Sequence, residues 1–272
     1  MKSIIKRTAA IVFLAAISIA AQTAPPGQET RPKFDEFEVA TIKLADPAYQ
    51  GRWIRMLSAN ELAARNHSVK TLIAAAYNVS PKAISGGASW VNDDRYDIVA
   101  RTPGSVRPNL NEQMAMLRKL LNDRFSLTFH REQKEMRAYV LTVAKGGPKL
   151  KETTVSPDAT PEGPPPLIFV VAPDEIRLPA RSATMAELAG VMQRAMLDDP
   201  VVDHTGLAAR YDFDLAFSPD EAVMAGALPR PDNAPKPGLF TAIQQQLGLK
   251  IESTRAMVDT LVIDRAERPT AN

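Results

Sequence analysis

The chain has no cysteine among its 272 residues, which excludes disulfides, thiolate metal sites and a thiol nucleophile together. Its three histidines, His67, His130 and His204, do not stand in His-Glu-x-x-His or any other zinc-ligating spacing. No Gly-x-Ser-x-Gly elbow and no nucleotide fingerprint occurs, so no metal or organic cofactor is expected. No apolar run reaches the roughly 18 residues of a spanning helix. A large excess of one charge sign is missing too, with 33 Lys plus Arg against 31 Asp plus Glu. What is present, 45% hydrophobic and 24% charged residues, belongs to a globular chain long enough for one large or two ordinary domains.

The N-terminus has the order of a secretory signal over residues 1–20. Lys2, Lys6 and Arg7 precede an apolar stretch from Ala9 to Ile19, and Ser18-Ile19-Ala20 supplies small residues for cleavage before Ala21. Those twenty residues hold three cations and no acid, so the mature chain carries 30 cations against 31 anions, a net charge of −1. That balance leaves no electrostatic footprint for nucleic acid and no polybasic membrane patch. The expected location is the periplasm or the exterior, with no transmembrane segment in the mature chain. Without disulfides, its stability must come from its core.

Two Pro-rich stretches, 157–166 and 229–238, interrupt the pattern, because each proline removes a backbone donor and fixes φ. Between them helices and strands alternate. Ser68 is an N-cap before Val69, Leu72, Ile73, Ala76 and Tyr77 at helical spacing, and Met114, Leu117, Leu120 and Leu121 form a second stripe. Tyr96–Ala100, Leu127–Phe129 and Ala138–Val143 read as strands, with Glu132–Glu135 as a polar hairpin turn between the last two. Thr184 and Glu187 form a capping box opening a helix with Met185, Leu188, Ala189 and Met192 inward. Tyr211, Phe213, Leu215 and Phe217 alternate as a strand. Phe240, Ile243 and Leu247 share a helical face that stops at Gly248, and Leu249–Ile251 and Thr260–Ile263 follow as strands.

The halves align with one another. Arg65–Leu72 matches Arg181–Leu188 at an offset of 116, and Arg95-Tyr96-Asp97 matches Arg210-Tyr211-Asp212 at 115. Phe125, Leu127, Phe129, Met136 and Leu141 match Leu247, Leu249, Ile251, Val258 and Ile263 at 122. Elements of one type in one order at nearly constant offset indicate tandem duplication. The expected fold is α+β: two tandem units of strand–helix–strand–helix–strand–strand type, their helices packed on mixed or antiparallel sheets. The organisation is then a signal (1–20), a disordered segment (21–34), a first repeat (35–152), a Pro-rich linker (153–166) and a second repeat (167–269). One continuous sheet sharing strands from both halves is the alternative.

The stretches Phe37–Lys43, Ile84–Val91, Arg95–Ala100, Leu120–Phe125, His130–Glu132 and Ala138–Leu141 resemble a known family. So do Thr205–Leu207, Arg210–Phe213, Gln246–Leu249 and Val262–Asp264. The family is that of uncharacterised secreted proteins abundant in soil Acidobacteria, defined by a domain of unknown function. The resemblance implies export and a shared fold, and some relatives are similar to sensor proteins with a metallopeptidase-like membrane domain that this chain lacks. It supplies no catalytic residue.

The residues that invite a functional reading are the two copies of Arg-Tyr-Asp, that is Arg95, Tyr96 and Asp97 with Arg210, Tyr211 and Asp212, since Arg and Tyr favour interfaces. Recurrence at one structural place argues instead for packing, with Tyr inward and Arg and Asp toward solvent. Asp198, Asp199, Asp203 and His204 read as a solvated acidic loop that lacks the Gly and terminal Glu of an EF-hand. Gly86-Gly87 reads as a tight turn rather than a phosphate cradle. No catalytic residue is assigned. The function expected is an exported, non-catalytic interaction module for an envelope or extracellular protein or peptide. A hydrolase with a site between the halves and a sensor-associated domain are the alternatives.

Overall fold

A computed structural model describes residues 31–155, 165–172, 174–197, 199–219 and 236–269. The expected signal, residues 21–30 of the segment 21–34 and most of both Pro-rich stretches lie outside the described residues. Phe34, at the end of that segment, is buried.

The class is α+β, with three four-stranded sheets among the described residues. The first sheet runs, in spatial order, β1 (Val39–Leu44), β5 (Arg95–Arg101), β3 (Glu61–Ser68) and β2 (Trp53–Met56), antiparallel throughout. The third follows the same plan with β7 (Lys151–Thr153), β11 (Arg210–Phe217), β9 (Ile176–Ala183) and β8 (Val170–Val171). Between them in the chain's topology is a sheet of β10 (Val201–Asp203), β6 (Thr128–Val143), β12 (Leu249–Arg265) and β4 (Ile84–Gly86).

The helices form where their caps are written. Ser68 accepts from the Thr71 N–H at the start of α1 (Val69–Tyr77), which ends at Asn78 in the left-handed region. A four-residue helix, α2 (Trp90–Asp93), follows Gly86-Gly87. α3 (Leu110–Phe125) opens on an Asn109–Glu112 capping box. α4 (Met185–Val191), continued by a wider turn over Met192–Met196, opens on the Thr184–Glu187 box. α5 (Leu239–Ala242) continues through Ile243–Leu247 and stops at Gly248, φ 65°.

One expected element is absent. Residues 132–135 do not turn; β6 runs unbroken from Thr128 to Val143, and Leu249–Ile251 and Thr260–Ile263 are the two ends of the single strand β12. No Gly, Pro, Asn or Asp stands in Arg131–Met136 to favour a turn. The polar stretch marks a solvent-facing part of a long ribbon whose backbone groups pair with β12. The antiparallel partner of β6 is therefore more than a hundred residues away, not next in sequence.

The register of that ladder obeys the internal offset. Glu135 faces Met257, its own counterpart at offset 122, and Leu141 faces Ile251 while their counterparts Ile263 and Phe129 face each other. The flanking strands agree: β10 runs parallel to β6 with Val201 opposite Tyr139, and β4 runs parallel to β12 with Ile84 opposite Leu261. These relations are those of a local two-fold axis through the middle of the ladder. Gly86, φ 77°, permits the close approach of β4, since a Cβ there would lie 2.6 Å from the Ile263 carbonyl oxygen.

Each long strand serves two cores. Leu261 and Ile263 of β12 pack with Leu72, Ile73, Ile98, Leu117 and Phe125 of the first half. Leu141 of β6 packs with Leu178, Leu188, Phe213, Leu215 and Ile243 of the second. Burial of a Leu or Ile side chain is worth about 1.5–3 kcal/mol, so each half owes several kcal/mol to strands of the other. A fragment of residues 32–150 expressed alone should lack a cooperative thermal transition, and mixing it with 151–272 should restore one. A sharp transition for the isolated fragment would contradict this account of the cores.

Candidate functional site

At one end of the first sheet, β3 bulges between Ala64 and His67, placing Asn66 at φ 56°. Its N–H donates to Asp97 Oδ1 at 3.0 Å, and Arg65 Nη1 lies 3.0 Å from Asp97 Oδ2. Asp97 is only 4% exposed, which corrects the expectation that the Asp of this motif faces solvent. It fastens a strained bulge to the neighbouring strand. The third sheet repeats the arrangement: Ser182 stands at φ 58° and its N–H donates to Asp212 Oδ1 at 2.8 Å. Tyr96 and Tyr211 are both buried, Tyr96 edge-on to Phe125 at 5.4 Å.

The arginines of the two copies differ. Arg210 Nη1 donates to the Ser182 carbonyl at 2.7 Å and lies 3.5 Å from Glu187 Oε2, a carboxylate that also accepts from the Thr184 N–H. In the first half the position of Glu187 is taken by Thr71, whose hydroxyl donates to the Ser68 carbonyl at 2.9 Å and lies 3.1 Å from His67 Nδ1. Arg95 has no ion pair among the described residues.

Arg95 opens instead on a cleft of about 730 Å³, lined also by Asp46, Tyr49, Arg52, Asn66 and Asp93. One wall is held firmly. Trp53 Nε1 donates to the Tyr49 hydroxyl at 2.9 Å, Arg65 lies over the Tyr49 ring, and Asn66 Nδ2 donates to the carbonyls of Tyr49 and Gly51 at 3.3 and 2.8 Å. Arg52, like Arg95, has no ion pair among the described residues, and partial burial together with the Arg95 charge pulls its pKa below the ordinary guanidinium value. Asp46 accepts from the Ala48 N–H and Asp93 from Asn92, so the two acids of the cleft do not neutralise the two cations. Arg52, Tyr49 and Asp46 were not singled out by the sequence. The available signal was the unequal pair Thr71 and Glu187 in otherwise aligned copies.

Beside the cleft, His67 is 6% exposed and its Nε2 has no hydrogen-bond partner among the described residues. Burial, with the Arg52 charge second, pulls its pKa from 6.5 to about 3. His130 is exposed and pairs with Asp264 at 2.8 Å. His204 and Asp203 line a second cleft of about 540 Å³, where Asp203 is engaged by the Thr205 N–H and hydroxyl at 2.9 and 2.7 Å. Asp199 corrects the solvated-loop expectation: it is buried, with Lys82 at 2.9 Å and Arg137 at 3.0 Å. Asp198 lies outside the described residues. Gly86-Gly87 does precede a helix, α2, but Gly86 is needed for the packing of β4 on β12.

Two outcomes follow. Asp97→Ala leaves the Asn66 N–H and Arg65 without their acceptor and should cost about 2–3 kcal/mol in urea unfolding; an unchanged midpoint would show that the bulge needs no clamp. His67 is neutral in the fold but takes a proton when unfolded below its ordinary pKa of 6.5. Its contribution is therefore complete above pH 6.5 and lost as pH falls toward 3. Between pH 6 and 5 the native protein should lose about 1 kcal/mol more stability than His67→Gln. Equal losses would show that another group titrates.

No curated protein and no solved structure matches the chain. A family model described as "Protein of unknown function (DUF3738)" matches residues 70–266, from the first turn of α1 to the residue after β12, and the chain belongs to that family.

Proposed function

We propose that the protein is an exported, non-catalytic binding module, akin to the secreted soil-bacterial proteins its motifs resemble, and that the cleft at Arg52 and Arg95 receives its ligand. The observation that carries this reading is the pair of arginines converging on one cleft with no ion pair of their own, beside a wall fixed by Tyr49, Trp53 and Asn66. Two guanidiniums without a carboxylate partner, near enough that the charge of Arg95 lowers the proton affinity of Arg52, are stabilised when an acceptor enters between them. Arg95 is the contact residue. Next to it in β5, Tyr96 packs on Phe125 and Asp97 holds the Asn66 bulge, and Arg210, Tyr211 and Asp212 form the corresponding frame in the second half. The partner expected is an envelope or extracellular protein or peptide, since the net charge of the mature chain does not suit nucleic acid.

A hydrolase between the halves would draw on His204 and Asp203, but Asp203 is committed to Thr205. The two readings separate in one experiment. Mature protein and the variants Arg52→Glu and Arg95→Glu are immobilised and exposed to a peptide fraction of the envelope, and eluted masses are compared. The proposal expects a peptide retained intact by the native protein and at least tenfold less by either variant. Equal retention would remove the cleft from the reading, and recovery of cleaved peptide would replace binding by catalysis.

A further inference from the structure

We propose that the ligand enters this cleft with a carboxylate, of a peptide or an amino acid, which does for Arg95 what Glu187 does for Arg210 inside the second half; the proposal rests on the binding reading above. The two halves offer an internal comparison. Asn66 and Ser182 share a positive φ, and Asp97 and Asp212 accept from their N–H groups. Ser68 and Thr184 cap the following helices, each accepting from the backbone N–H three residues on. Arg95 and Arg210 each begin the neighbouring strand.

Within this frame the carboxylate is the difference. Glu187 accepts from the Thr184 N–H at 2.7 Å and lies 3.5 Å from Arg210, so the second half holds its own anion against an arginine and a helix start. The first turn of α1 has no acid, Thr71 stands where Glu187 would, and Arg95 faces an open cleft. Arg52 brings a second cation to that side. A planar carboxylate is a ligand that guanidinium donors match in pairs. Asp46 and Asp93 on the same cleft oppose a multiply charged anion and suit a ligand that also carries a cation, as peptides and amino acids do.

The test uses the mature protein with backbone amides of Asn66 and Arg95 followed by NMR. Gly-Ala-Glu is titrated against Gly-Ala-Gln amide, which lacks both carboxylates, and against inorganic phosphate. Thr71→Glu places the missing acid in the chain itself, Thr71→Gln is its uncharged counterpart, and Lys250→Gln is a distant control. The expected result is saturable shifts with Gly-Ala-Glu, at least tenfold weaker binding of the amide and of phosphate, and at least tenfold loss in Thr71→Glu with retention in Thr71→Gln and Lys250→Gln. Phosphate binding as tight as the peptide would overturn the carboxylate assignment in favour of a general anion site. Undiminished binding by a folded Thr71→Glu would overturn the comparison with Glu187. Loss in Thr71→Gln as well would do the same, because the charge would not be responsible. Absence of any shift with all three probes would overturn the proposal, whereas the binding reading stands or falls separately on retention by Arg52→Glu and Arg95→Glu.

Discussion

The backbone hydrogen bonds between β6 and β12 join residues more than a hundred positions apart and set the place of almost everything else. Because the ladder is antiparallel and registered on Glu135 and Met257, the two halves meet by equivalent edges. β4 and β10 then attach on opposite sides, each to the long strand of the other half. The ends of the ladder enter the two cores, through Leu261 and Ile263 on one side and Leu141 on the other. A slip of one residue would turn all three of these side chains out of their cores, which is why so long a ribbon tolerates a polar middle.

Much of this was legible locally. Ser68, the Thr184–Glu187 box and Gly248 announce helix ends by chemistry that needs no tertiary partner, and Tyr211 through Phe217 alternate because one face of β11 is buried. The polar run Glu132–Glu135 reads as a turn because exposure looks the same in a turn and in a solvated ribbon. What distinguishes them is a partner strand in the other half, which periodicity does not name. Asp97 and Asp199 were read as solvent-facing for a related reason. Local sequence gives their charge, but not the bulge or the Lys82 and Arg137 side chains that engage them.

The cleft was less legible still. Its residues come from the loop after β1, the end of β3 and the start of β5, and only Arg95 carried a sequence signal. The repeated motif pointed to the right place for a structural reason, the clamp between Asp97 and Asn66. Chemistry enters where the copies cease to agree. An arginine paired with a carboxylate in one half and left to solvent in the other is a local inconsistency of the kind found at binding sites.

The shared ladder also orders events in time. The first core, built otherwise from residues 42–127, needs Leu261 and Ile263 of β12. The first core cannot close before that strand has been made, and contacts of such separation form slowly because chain closure precedes their gain. The topology thereby ties the packing of the first half to a strand made more than a hundred residues later.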